Sequence, residues 1–206
     1  MSAKPQLPKL SKRHRDVLSR EEIDRMEAAV PAERDKLIIR LFADCGLRLG
    51  EVTRLGLKDL LRHERYGQLR IQGKGDRERR VPVPPKLLRR LERHIEGRPT
   101  TAMSDRIFLS LRRGPSGDYD ALTESGVAQL IGSAGARAGL GRSVHPHLMR
   151  HSWMTEMLRR GMNPIQLSVI AGASEKVIAN HYEHLTEDDA FEAMMRALMA
   201  SDRRPA

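Results

Sequence analysis

A mainly α-helical domain carrying a small antiparallel β-sheet is the fold class this sequence predicts, from three observations. Apolar residues recur at helical spacing in the first quarter of the chain, in Ile38, Leu41, Phe42 and Cys45. A helical pattern returns from Thr123 onward. Between them lie two short stretches that alternate apolar and polar residues around a turn. The elements follow in order. Ser19, with Glu22 three residues on, is a helix start of the capping-box kind. The stripe through Ile38 and Cys45 should end at Gly46, because glycine readily takes the left-handed conformation that closes a helix. A short helix around Gly50 to Leu55 follows. Leu69 and Ile71 alternate with Gln68, Arg70 and Gln72, and Val81 alternates with Val83. Gly73-Lys74-Gly75-Asp76 supplies turn chemistry between them, so the pair reads as a β-hairpin. Pro82 has no N–H to donate and makes the second strand an edge, or ends it there. Ile107-Phe108-Leu109 is read as a third strand. Arg150, Trp153, Met154, Met157 and Leu158 share one helix face, Pro164 opens a helix ending near Ala171-Gly172, and another runs toward Tyr182. Thr186-Glu187-Asp188-Asp189 starts a last helix with the stripe Phe191, Met194, Met195 and Leu198.

Composition narrows the partners. The 206 residues are 39% hydrophobic but only 3% aromatic, so the core rests on aliphatic residues and on ten methionines. The formal charge of +10 and a pI near 10.3 point to a polyanion, nucleic acid first and an anionic membrane surface second. No apolar run approaches membrane-spanning length, and the first residues lack the apolar segment of a signal peptide. Cys45 is the single cysteine, which excludes an internal disulfide, fits a reducing cytoplasm and, on its apolar stripe, reads as buried and inert. Residues 1–17 hold Pro5, Pro8 and Lys12-Arg13-His14-Arg15 and read as a basic arm or linker suited to a nucleic-acid backbone.

Four basic positions and one tyrosine could carry chemistry. Arg48 lies at a helix–helix junction with Glu51 one turn on; it reads either as a surface arginine or as a phosphate ligand held by Glu51. Lys74 sits at the hairpin tip, where it serves solubility or delivers a proton to a leaving oxygen. His147 and Arg150 are three apart and share a helix face, which is either a solvated helix start or a phosphate-handling pair. Tyr182, flanked by His181 and His184, is either a packing residue or a nucleophile able to attack phosphorus. His147 and His151, four apart, have a spacing that can chelate zinc, but the glutamate of a zinc-protease helix is missing, and His151 suits hydrogen bonding in the core better.

These residues carry a resemblance. Cys45-Gly46-Leu47-Arg48-Leu49-Gly50-Glu51-Val52, Gly73 to Val83 with Lys74, His145-Pro146-His147-Leu148-Met149-Arg150-His151, and Ala171-Gly172-Ala173 through Tyr182-Glu183-His184 resemble, in order and spacing, the boxes of the tyrosine recombinase (phage integrase) catalytic domain. The resemblance covers about Leu18 to His184. It implies that Tyr182 is the nucleophile of a site-specific DNA recombinase and forms a 3′-phosphotyrosine. By the same likeness Arg48 and Arg150 clamp the non-bridging oxygens, Lys74 protonates the departing 5′-oxygen, His147 assists proton transfer, and Glu51 and His151 support. Neither metal nor cofactor is implied, because the phosphotyrosine conserves the bond energy. Ala173 departs from the pattern: it stands where the family has His or Trp, removing a hydrogen bond worth about 1.5–3 kcal/mol to a charged acceptor. A relative that kept the scaffold as a DNA-binding or regulatory protein is the alternative implied by that residue.

The expected organisation is a basic arm over residues 1–17, a catalytic domain over 18–185, and a C-terminal helix and tail over 186–206 that docks on a neighbouring protomer or on its own core. The expected partners are double-stranded DNA at a recombination site and, on synapsed DNA, three further copies in a homotetramer; free protein is expected as a monomer or weak oligomer. Lys12, Arg13, Arg15, Lys74 and Arg77 are the expected DNA-backbone contacts. Relatives place a core-binding domain before the catalytic one; this sequence begins at the linker, either as a piece of a catalytic domain or as a short member of the family, and without that clamp DNA affinity is expected to be modest and steeply salt-dependent. The expected location is the cytoplasm of a bacterial cell, at the nucleoid, in a host- or phage-encoded protein.

Overall fold

A computed structural model describes residues 17–63, 66–73, 78–99, 102, 104–115, 117–182, 188–192 and 194–195, without the side chains of 180–182. Eight helices and three strands are named in it: α1 (Arg20–Ala28), α2 (Glu33–Cys45), α3 (Leu49–Arg54), a 3-10 turn (Leu57–Asp59), β1 (Leu60–Arg62), β2 (Gly67–Gln72), β3 (Glu78–Val83), α4 (Pro85–Glu96), α5 (Glu124–Arg137), α6 (Pro146–Arg159), α7 (Pro164–Ala171) and α8 (Glu175–Tyr182). The sheet is antiparallel in the order β1-β2-β3. Pairing runs Leu60↔Leu69 on one side of β2 and Leu69↔Val81 on the other.

Local chemistry sets the helix ends. Ser19 caps α1 by accepting from the Glu22 N–H at 3.2 Å, while the Glu22 carboxylate accepts from the Ser19 N–H at 2.9 Å. Asn163 accepts from the Ile165 N–H at 2.9 Å and starts α7, with Pro164 in the first turn where no N–H is needed. α2 is the central helix and packs on α1, α4, α5, α6 and β3. Its Leu37, Ile38, Ile39, Leu41 and Phe42 are fully buried, and Cys45 is buried as expected, with burial pushing its thiol pKa up. Each such aliphatic or aromatic side chain contributes about 1.5–3 kcal/mol by leaving water. One polar residue of α2 also goes inward: Arg40 is buried and pairs with Asp24 and Glu27 of α1.

The sheet corrects one expectation. Ile107, Phe108 and Leu109 are buried, yet they do not join the sheet. The Ile107 N–H donates to Leu55 O at 2.8 Å, and Leu109 forms an isolated bridge with Ala121, so neighbouring loops satisfy this segment. The third strand is β1, three residues with no period to read. Pro82 does lie on an edge strand, β3. The hairpin tip with Lys74 and Arg77, the arm with Lys12, Arg13 and Arg15, and Leu198 lie outside the described residues.

A second, smaller core joins the last three helices. Trp153, Met154 and Leu158 of α6 pack with Leu167 and Ala171 of α7 and Ile178 of α8. Gly46 connects this cluster to α2. It takes φ +60° as the cap of α2, and a Cβ there would stand 2.0 Å from Cε3 of Trp153. Gly46→Ala is therefore expected to cost about 2–4 kcal/mol, from overpacking and a strained left-handed residue. Urea unfolding with an unchanged m-value is the check.

Candidate active site

Three chain segments converge where α2 gives way to α3. The turn at Gly46 buries Leu47 and leaves Arg48 as the residue preceding α3. Glu51, one turn into α3, accepts from the Arg48 N–H at 2.7 Å and from Arg48 Nη1 at 2.9 Å. Glu51 thus meets both the backbone and the guanidinium of Arg48, as residues one turn apart can. At the start of α6, the His145 Nδ1 accepts from the Leu148 N–H at 3.2 Å and caps the helix. The rings of His145 and His147 lie nearly parallel, 6.4 Å apart, and both residues are exposed. Arg150, one turn further, is only 5% exposed.

The end of α7 holds the arginines. Three consecutive carbonyls each accept from a different guanidinium: Ile170 O from Arg79 Nε at 2.9 Å, Ala171 O from Arg150 Nη2 at 2.6 Å, and Gly172 O from Arg48 Nη2. The last carbonyls of a helix have no partner within it and carry partial negative charge, so they suit cations. Arg150 Nη1 also donates to Gly46 O, at the end of α2. Gly172 closes α7 at φ +60° and lies against Arg79, whose Cζ would be 3.1 Å from a Cβ there.

Arg79 was not singled out by motif. It donates from Nη1 and Nη2 to the two oxygens of Glu51, each at 2.8 Å, and its side chain is 11% exposed. The signal lies in the strand period: Arg79 shares the inward face of β3 with the buried Val81 and Val83. An arginine on the apolar face of a strand needs a buried partner. The three accepting carbonyls leave no trace in side-chain identity.

Electrostatics follow from the count. Three guanidinium groups against the single carboxylate of Glu51 leave a formal surplus of two positive charges. Burial, then the charge of Arg48, depresses Arg150 to a pKa of about 10; Glu51 opposes this and Arg79 adds to it. Burial alone would raise the Glu51 carboxyl, but hydrogen bonds from Arg79 and from the Arg48 backbone outweigh it and hold the pKa below 4.5. Arg150 is still charged at neutral pH, and an oxyanion placed beside it would relieve the surplus.

An open cleft of about 610 Å³ receives that charge. Arg48, His145, His147, Arg150, Gly172 and Ala173 are on its walls. Ala173 is half-buried and brings only a methyl group to the cleft, and its N–H donates to Ser168 O at 3.1 Å. His151 is half-buried on α6 and does not line the cleft. Tyr182 ends α8, which the fully buried Ile178 holds against α6 and α7; its side chain, like Lys74 and His184, lies outside the description. Among the described residues, no group of three or more His, Cys, Asp or Glu is placed to hold a metal, and no helix is long and apolar enough to cross a membrane. The arrangement can bind a tetrahedral oxyanion by paired, planar donors.

A cleft walled by Arg48 and Arg150 on a helical domain with a three-stranded antiparallel sheet is what the fold and site define. The chain belongs to the phage integrase family, whose model matches residues 16–189. It is 28% identical over 192 residues to a tyrosine recombinase of Pseudothermotoga lettingae, covering 93% of this chain and 64% of that protein. It is 30% identical over 193 residues to tyrosine recombinase XerA of Pyrococcus furiosus, covering 92% and 64%. The chain thus spans about 64% of the length of these curated relatives. Among solved structures, the crystal structure of XerA recombinase matches with a TM-score of 0.72 at 24% identity, over 99% of this chain and 68% of that one. A post-cleavage complex of the XerH site-specific recombinase with a palindromic difH substrate matches with a TM-score of 0.70 at 25% identity, over 86% and 52%. The fold is therefore the one expected, that of tyrosine recombinases.

Proposed function

We propose that this chain carries the strand-cleaving and rejoining activity of a site-specific DNA recombinase. The observation that carries the reading is the surplus of two positive charges at the cleft, fixed by the end of α7. Arg48 and Arg150 hold the two non-bridging oxygens of the scissile phosphate and stabilise the charge of the pentacoordinate transition state. Tyr182 attacks phosphorus, the bond to the 5′-oxygen breaks, and a 3′-phosphotyrosine forms. Lys74 gives its proton to the departing 5′-oxygen, and His147 on the cleft wall takes or positions the proton of the nucleophile. A free 5′-hydroxyl then attacks the phosphotyrosine and releases Tyr182, which needs no metal or nucleotide because the phosphoester energy is kept. Residues 18–185 form the catalytic domain in this reading, with Lys12, Arg13, Arg15, Lys74 and Arg77 on the DNA backbone. The enzyme works at the nucleoid, in the cytoplasm. The likeness to a recombinase solved with its DNA supports duplex DNA as the partner.

The test is a duplex of the cognate site with a nick beside the scissile phosphate, which traps the adduct. A covalent protein–DNA species that persists under metal chelation and disappears in Tyr182→Phe is the expected result. Absence of any adduct on the cognate site would sink the reading. It would favour instead a DNA-binding relative that kept the scaffold, for which Ala173, with no ring nitrogen to offer a phosphate, is the supporting observation.

The homotetramer is part of the same proposal. Residues 188–192 are helical, and Asp189 lies 3.6 Å from Arg159 of α6. Phe191 and Met194 remain 66% and 64% exposed, so this apolar stripe is not covered by its own described core. Protein truncated after Thr186 is expected to lose four-copy assembly on DNA in sedimentation, while still binding one duplex. Unchanged assembly would reject docking in trans.

A further inference from the structure

We propose that Arg79 is a positioning residue for the cleavage reaction, acting through Glu51 to hold Arg48 at the cleft; the inference rests on the function proposed above. Arg79 does not line the cleft. It lies beneath it, with all three of its donor nitrogens committed: Nη1 and Nη2 to the two oxygens of Glu51 and Nε to Ile170 O. The paired contact fixes the plane of the Glu51 carboxylate. So held, Oε2 accepts from the Arg48 N–H at 2.7 Å and Oε1 from Arg48 Nη1 at 2.9 Å. Arg48 is then held by one edge, and its Nη2 reaches Gly172 O. Gly172 itself rests on the Arg79 guanidinium, so Arg79 also sets the height of the carbonyl that holds Arg48.

Charge gives Arg79 a second task. A lone Glu51 would neutralise Arg48 and weaken its pull on a phosphate. With Arg79 present, the carboxylate is already balanced, so it orients Arg48 without cancelling it. A lysine at this position cannot reproduce the effect, because an ammonium is a point charge without a planar pair of donors.

The experiment uses the full chain and the nicked duplex, reading adduct formation in a single turnover. Arg79→Lys is expected to slow it by between about ten- and a hundred-fold, the range for a small misplacement of a reacting group. The salt dependence of DNA binding stays as in the wild type, since Arg79 does not itself line the cleft. Glu51→Gln is also slowed, and the double variant is slowed no more than the worse single one. Arg79→Gln replaces Arg79→Lys if the latter does not fold. Wild-type rates from the folded fraction overturn the proposal. So do losses that multiply in the double variant, or a shallower salt slope, which would make Arg79 a direct phosphate contact. A phosphorus NMR titration with inorganic phosphate separates this inference from the function beneath it, because it needs no cleavage. If the wild type forms no adduct, the function falls; the positioning role then stands only if Arg79→Lys weakens phosphate binding and the double variant weakens it no further.

Discussion

Arg150→Lys is expected to lower covalent cleavage by about a hundred- to a thousand-fold at neutral pH, the usual cost of losing one donor to developing charge. Two causes act together. Arg150 spans Gly46 O and Ala171 O with separate nitrogens and borders the cleft beside them. A lysine ammonium reaching from the same backbone position cannot bridge both carbonyls and still present a planar face to a phosphate. The second cause is protonation. Burial, and then Arg48, bring Arg150 down to about 10, which leaves it fully charged at pH 7. A lysine starts from about 10.4, and the same burial and neighbouring charge would depress it from there. A depressed base keeps its charge below its pKa and loses it above. Residual cleavage by Arg150→Lys should therefore fall further as pH rises above neutrality toward the pKa of about 10 that Arg150 has, while the wild type keeps its arginine charge over most of that range. Single-turnover rates across that window decide the matter, and a near-wild-type rate with a flat profile would refute it.

Glu51→Gln is expected to destabilise the protein by about 3–5 kcal/mol, because removing one partner of a buried pair leaves its charge uncompensated. For a domain of this size that corresponds to a fall in Tm of roughly 10 °C. Glu51 is 5% exposed and faces two guanidinium groups directly. Arg48 can turn toward solvent, so most of the penalty falls on the buried Arg79. The pH dependence carries the same signature. The Glu51 pKa is lower in the folded chain than the unfolded value near 4.5, so its contribution is complete above that value. It is lost as pH falls through the lower folded pKa. Asp24 and Glu27, hydrogen-bonded to Arg40, are depressed in the same sense and add to acid lability. Calorimetry below about pH 4.5 should show a steeper decline in the wild type than in Glu51→Gln, and parallel declines would refute the assignment.

How much of this was legible in the chain depends on what kind of group did the work. Side chains that pack or cap announce themselves: Ile38, Leu41, Phe42 and Cys45 are all buried as their spacing predicts, and Ser19, Gly46 and Pro164 sit at the helix ends they suggest. The pairing of Arg48 with Glu51 was readable for the same reason, since residues one turn apart meet. β1 was not, because a strand of three residues has too short a run to show a period. The segment 107–109 misled because it has strand composition, yet loops on both sides satisfy its backbone. Arg79 was half-legible, visible only once the inward face of β3 is taken seriously. The carbonyls of Ile170, Ala171 and Gly172 were illegible in principle, since every residue carries one and only tertiary contact gives it a cation.

Those three carbonyls have a mechanical consequence. Arg48, Arg79 and Arg150 come from distant parts of the chain, but they are moored to three successive residues of one short helix end. A shift of that end by a fraction of a hydrogen-bond length slackens all three moorings together. The helix bearing Tyr182 begins only three residues after Gly172, so the tyrosine's helix and the cations are borne by adjoining parts. A disturbance at the end of α7 would therefore reach all three arginines at once rather than one at a time.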